Sequence, residues 1–461
     1  MTNPDAKDAC KHTSLYLDVS PHASKAGFKR PNKRQRISAA TQEGRVLKEI
    51  ELLTCKELVE DEMAFPGPLV LPGDDLAEDP ESPPQDFNEW RDEEERNPVT
   101  QERKTIYIVS SPLIEKSLSK MQAWSVCSSR NSAKKQDTEA VSPPDIRDIV
   151  EYLSAFFYGM DVKIFKQPFH WQKWDSYEGA VLKSSNTEKR IGLRTPSEEL
   201  FGIRCRASPD GVSPMQVNLN DVLDALAENI PSDAHSIMIL LDQDMYEGDG
   251  DIFCAGRAYG GSRIAAVSKF RDQPLCAPRD NGHAWPSSHC AAYIKQLCHL
   301  ESYTTKPQPV RRKHNSGPLH AAIKATSGTV RHESSVPSEA PTAQWLGRIA
   351  ITMAHELCHC LGLDHCVYFA CAMQGCGSVE EAQRQPPYVC PVCLEKLCAA
   401  IGEGVVYGWS DEARSMAIRE KYVRDRYEAL RRVCERWGNP SVSRMFAGYR
   451  AWLDVVIERS L

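Results

Sequence analysis

Residues 355–366 read His355-Glu356-Leu357-Cys358-His359-Cys360-Leu361-Gly362-Leu363-Asp364-His365-Cys366. Just upstream, Trp345, Leu346, Ile349, Met353, Leu357 and Leu361 recur at helical spacing, which predicts a helix burying one stripe with Thr342 as its cap. Residues four apart on a helix project from one face, so His355 and His359 present two imidazoles to a single ion with Glu356 alongside. Gly362 predicts a left-handed turn out of the helix, which doubles the chain back and brings His365 to the same ion. Three neutral imidazoles leave the fourth position of a tetrahedral Zn2+ open to water, and Glu356 is placed to take that water's proton as general base. A bare HExxH is a weak signal, but the glycine and the third histidine at fixed spacing make it specific. The pattern therefore predicts a catalytic zinc on His355, His359 and His365 and hydrolysis of peptide bonds. The competing reading is a catalytically idle zinc scaffold or partner-binding protein, and the retained Glu356 with an open coordination position argues for the enzyme.

A second ligand set follows at once: Cys366, Cys371, Cys390 and Cys393, spaced C-x4-C-x18-C-x2-C. Four thiolates in two close pairs make a closed tetrahedral zinc site with no position for a reacting water, so this zinc is expected to be structural. Because Cys366 adjoins His365, it would clamp the loop that carries the third histidine. Eight of the seventeen cysteines fall between Cys358 and Cys398. In a large chain with an odd count and no export signal, reduced thiols and metal ligands are expected rather than a disulfide framework.

The chain has 461 residues, 41% of them hydrophobic, with 63 acidic and 56 basic side chains for a net charge of -7. That length suits one sizeable core with extensions. The acidic balance argues against a nucleic-acid binder, which needs a basic face to release counterions. No stretch approaches the roughly 18 apolar residues of a membrane span, and the first thirty residues hold no signal-peptide core. The expectation is an intracellular, cytoplasmic protein acting on peptides or unstructured proteins, with no nucleic-acid or membrane partner. The basic run from Lys29 to Arg36 is either a nuclear-import signal or a solvated tail. Oligomeric state leaves no mark in the sequence.

Three parts are expected along the chain. Residues 1–64 read as a mostly disordered extension with a short helical piece from Gly44 to Glu62. Residues 65–408 form the catalytic domain. Within it, the Pro- and acid-rich stretch 65–96 is an extended linker or a loop laid over the domain, and 301–341 is a surface insertion with no core to bury. Residues 409–461 read as a C-terminal helical extension. Buried strands are predicted at Thr105–Val109, Val162–Phe165 and Ile237–Leu241, with helices opened by Asp145 and by an Asn220 cap between them. Shorter strands are predicted near Phe253–Tyr259 and Ile264–Ser268. The alternation is α/β.

The stretch from His355 to Cys393 resembles the archaemetzincin family of metzincin-like zinc peptidases, whose signature HExxHxxGxxHC-x4-CxM then CxxC is reproduced here, with Cys371-Ala372-Met373 supplying CxM. The segments ERNPVTQERKTIYIV and ILLDQDMYEGDGDIFCAGRAYG are similar to family sequence as well. Sixteen residues separate Met373 from Cys390, against the seventeen associated with the family. The resemblance implies a twisted mixed β-sheet with an active-site helix, a helical lower and C-terminal part, and two zincs per chain. It further implies that Met373 forms a Met-turn beneath the catalytic metal and that the strand around Phe253–Tyr259 is the edge against which substrate pairs.

Overall fold

The computed structural model describes residues 14–41, 61–127, 141–174, 189–274, 276, 285–298, 317–327, 339–406 and 416–459. The helical piece predicted over 44–62 and most of the 301–341 segment lie outside them.

The fold is α/β with two mixed sheets. The strands are β1 (Thr105–Val109), β2 (Leu113–Ile114), β3 (Asp161–Ile164), β4 (His170–Gln172), β5 (Lys189–Arg194), β6 (Leu200–Arg206), β7 (Gln216–Asn218), β8 (Ala234–Leu241), β9 (Asp244–Tyr246), β10 (Gly256–Tyr259) and β11 (Ile264–Ser268). The central sheet runs β10-β11-β8-β1-β3. Its pairs are parallel except β10 on β11, where Gly256 faces Val267 and Tyr259 faces Ile264. β10 is thus an edge strand. The second sheet runs β2-β4-β5-β6-β7-β9 and was not predicted. Its strands carry Arg190, Arg194, Arg204 and Arg206 on their outer positions, so the apolar runs are too short and broken to stand out.

Every residue of β8 is buried, because a central parallel strand is covered on both faces. Met238 and Leu240 point into one hydrophobic core, while Ile237, Ile239 and Leu241 point into the other. The first core packs the sheet against the helix Ala340–Cys360 and the helix Ile146–Phe156. The second packs it against the second sheet and the helix Leu219–Ala227.

Several local expectations are corrected. The helix before β8 is capped by Asn218, whose side chain accepts from the Asp221 N–H, rather than by Asn220. The histidine helix begins at Ala340, which puts Thr342 inside its first turn with its hydroxyl donating to Ser142 O. Within 301–341, Pro318–Thr326 is a helix burying Leu319, Ala322 and Ile323, and it packs on the C-terminal helix Arg444–Arg459. A core does exist there, shared with a segment distant in sequence. Residues 14–41 are likewise built in. Arg30 donates from Nε to Tyr368 O at 2.9 Å, and Arg30 and Arg36 both lie over the Phe369 ring. The basic run is therefore not a solvated tail at these two positions, since their aliphatic stems and guanidinium faces find an aromatic surface. One cysteine pair, Cys127 and Cys276, is joined as a disulfide. Among the described residues no helix is long and apolar enough to cross a membrane.

Candidate metal centres and active-site cleft

The histidine helix ends where the sequence says it must. Gly362 takes φ 83°, its N–H donates to His359 O, and the Leu363 N–H reaches back to Cys358 O. A side chain at 362 would strike the Arg96 stem at 2.8 Å, so the position needs glycine for space as well as for conformation. The turn carries His365 back to its partners. The ligand atoms of His355, His359 and His365 all lie within 4.8 Å of one another, and the Nε2 atoms of His355 and His359 are 3.0 Å apart. Nitrogens about 2.0 Å from a tetrahedral Zn2+ stand about 3.3 Å apart, so the three imidazoles fit that ion.

The tautomers fit as well. Nδ1 of His355 pairs with Ala372 O at 2.7 Å and Nδ1 of His359 with Leu363 O at 2.6 Å. Each can only be a donor to a carbonyl, which leaves Nε2 with a free lone pair facing the centre of the cluster. Burial, then the neighbouring His365, pulls the pKa of His355 down to about 4. Burial also pulls His359 well below its usual value and lowers His365, where Asp75 and Asp364 oppose the shift. Each shift favours the neutral imidazole, the form in which histidine binds a metal.

Residues 339–399 match the model of Peptidase family M54. Over this stretch and beyond it the chain is similar to archaemetzincins. Archaemetzincin-2 of Rattus norvegicus is 26% identical over 274 residues, which cover 59% of this chain and 58% of that protein, less than two thirds of its length. Archaemetzincin-2 of Homo sapiens is 25% identical over 342 residues, covering 74% and 71%. The crystal structure of archaemetzincin from Methanopyrus kandleri aligns with 66% of this chain and 97% of that one at 16% identity and a TM-score of 0.31.

Glu356 is buried behind the edge strand. Gly256 of β10 lies so close that a Cβ there would stand 2.9 Å from Glu356 Oε1. Gly260 approaches the helix end closer still, where a Cβ would meet His359 O at 2.4 Å. Two glycines thus let the edge strand rest directly on the histidine helix. Burial pushes the Glu356 pKa up to about 8, with Arg257 opposing and Glu247 adding to the shift. Cys254, at the same wall, is pushed up to about 12 by burial and by Glu356.

Histidines and Glu356 open into a cleft of about 1020 Å3. One wall is the segment Asp251–Gly261, including β10. The opposite wall is the acidic segment 75–97, which is laid over the domain and tied to the site throughout. The Gln85 amide donates to Gly362 O and accepts from the Asp364 N–H, both at 3.0 Å, and Lys396 Nζ donates to Gln85 Oε1. Trp90 donates to Leu361 O at 2.9 Å, and Asn97 donates to Gly260 O and Gly261 O. None of these contacts was foreseen. Each joins a residue of an irregular acidic stretch to a group far along the chain, in all but the Lys396 contact a main-chain carbonyl or amide, which leaves no periodic trace.

Cys366, Cys371, Cys390 and Cys393 also converge, and all four are buried. The Cys366 and Cys390 sulfurs are 3.6 Å apart, and the Cys390 N–H donates to Cys371 Sγ at 3.2 Å. Sulfurs about 2.3 Å from a tetrahedral zinc stand about 3.8 Å apart, so the set fits that ion. Met373 is fully buried, and its carbonyl accepts from the Cys366 N–H at 2.7 Å, joining the two ligand sets through one turn. The loop continues to an aromatic stack of Tyr388 on Trp452, 4.6 Å between centroids. The C-terminal helix thus belongs to the same core as the cysteines.

Proposed function

We propose that this chain hydrolyses peptide bonds in a cleft whose floor is the three-histidine centre, with Glu356 as general base. The observation that carries this is the convergence of a ligand nitrogen from each of three imidazoles beside a buried carboxylate at the wall of an open cleft. When bound at His355, His359 and His365, Zn2+ supplies a Lewis acid that polarises the scissile carbonyl, acidifies water, and favours the ionised form of a nearby carboxylate. Glu356 takes the proton of the attacking water and returns it to the leaving amine. Its burial excludes competing solvent, and its raised proton affinity suits a group that must accept a proton and then give it up near neutral pH. The free edge of β10 offers main-chain donors and acceptors along which an extended peptide pairs, placing its carbonyl over the histidines.

The cysteine set takes the structural role, since it is closed and buried, and Met373 forms the turn beneath the histidines. The catalytic unit comprises 65–408 together with the parts of 14–41 and 416–459 that pack into its core. Substrates are short or unstructured peptides able to lie extended in the cleft.

Zinc per chain tests this, measured by elemental analysis on the wild type and on the His355→Ala/His359→Ala double variant, alongside turnover of a peptide library. Two zincs falling to one, with turnover lost, is the expected result. One zinc in both proteins would overturn the hydrolytic reading and leave a scaffold.

A further inference from the structure

The three histidines are not held alike. His355 and His359 each have a main-chain carbonyl on Nδ1, which fixes ring plane and tautomer. Among the described residues none makes a hydrogen bond to His365. Its Nδ1 lies near a carboxylate instead. A Cβ on Gly375 would lie 3.0 Å from His365 Nδ1 and 2.0 Å from Asp75 Oδ2, so the two atoms flank the same bare glycine within about 5 Å of each other. Asp75 belongs to the acidic segment laid over the domain and lies outside residues 339–399.

The Asp75 backbone is pinned to the loop behind His365. Its N–H donates to Glu381 Oε2 at 2.9 Å, and the same oxygen accepts from the Gly377 N–H at 2.7 Å. The preceding Asp74 pairs with Arg384, and both of these side chains are buried. With its main chain held there, the Asp75 carboxylate borders the same space as His365 Nδ1, the space a side chain at 375 would fill.

We propose that Asp75 is the positioning residue for His365, accepting Nδ1–H so that the third imidazole presents Nε2 to the metal as the other two do. The proposal rests on the three-histidine centre. Oriented by a carboxylate, a ligating imidazole is also a better electron donor, and loss of such a partner typically costs about 10- to 100-fold in metal affinity. The overlying acidic segment would then be part of the metal centre as well as a wall of the cleft.

The test is zinc affinity of each site in the full chain, by chelator competition, for wild type, Asp75→Asn, Gly375→Ala and Asp364→Asn. Asp75→Asn keeps the shape and removes the charge, while Gly375→Ala pushes the carboxylate away. Both are expected to weaken the histidine site by about 10- to 100-fold and to leave the cysteine site unchanged. Asp364→Asn, at an exposed neighbour, is expected to change neither. The metal-free melting temperature of Asp75→Asn should stay within about 2 °C of wild type, an interval corresponding to a small fraction of total stability. Unchanged histidine-site affinity in Asp75→Asn would overturn the assignment, as would equal weakening of both sites, which marks a structural role. A wild type that takes up one zinc only would overturn the three-histidine reading, and this proposal with it.

Discussion

His365 and Cys366 are adjacent in the chain, yet they belong to two candidate ligand sets with opposite surroundings. The histidines lie at the floor of a cleft of about 1020 Å3. The cysteines are sealed in the main core, with Cys371 and Cys390 wholly buried and Tyr388 and Trp452 stacked close by. Ligand chemistry alone does not produce this difference, since either set could hold one tetrahedral ion. What differs is the surroundings: on one side a solvent-filled gap between β10 and the acidic segment, on the other a wall of aromatic rings. A metal with an open position can do chemistry, whereas one with four thiolates and no space can only hold the chain together.

The contrast is broken most strongly at the cysteines. Cys390→Ser should destabilise the protein by several kcal/mol, roughly a third or more of the 10 to 16 kcal/mol that a structural zinc contributes, and should abolish activity with it. Unfolding midpoints equal to wild type would remove the structural role. Next in size, Glu356→Ala should lower turnover by about 10²- to 10⁴-fold while both zincs and the melting temperature remain. A loss of zinc together with activity would mean that Glu356 acts on the metal site instead of on the proton.

A histidine buried away from both centres sharpens the comparison through pH. Burial, with Arg384 adding, pulls His289 down to about 4, without a ligand role to explain the cost. Its folded pKa lies below its unfolded value, so its contribution to stability is fully present above about pH 6.5 and is lost as pH falls toward 4. Between pH 7 and 5 this amounts to about 2 kcal/mol. His289→Gln should flatten that part of the urea-midpoint profile, and parallel profiles for the two proteins would refute the assignment. Smallest is Trp90→Phe, which removes the bond to Leu361 O. It should cost about 1 kcal/mol and raise KM more than it lowers kcat, because it loosens a wall of the cleft and not the base.

Both ligand sets were legible in the sequence because their geometry is local. Positions four apart on a helix share a face, a glycine at the helix end turns the chain, and paired cysteines at short spacing converge once the turn is made. β1, β8 and β11 were legible for a similar reason, as short apolar runs that are buried on both faces. Trp90 and Leu361 are 271 positions apart, and no local pattern in an acidic, proline-rich stretch signals that its amide and indole groups will cap a helix end. The helix Pro318–Thr326 was missed likewise, because the surface that buries Leu319 is made by Leu15, Met63 and Cys290, far along the chain.

By itself the sequence marked out the candidate ligands, the candidate base and the strands and helices of the central sheet, since these follow from spacing and backbone periodicity. Only the tertiary structure decided which centre faces solvent, which residues wall the cleft, and that Asp75 stands beside His365. Those are properties of surfaces brought together across hundreds of residues, and their energy comes from contacts that exist only once the chain has closed on itself.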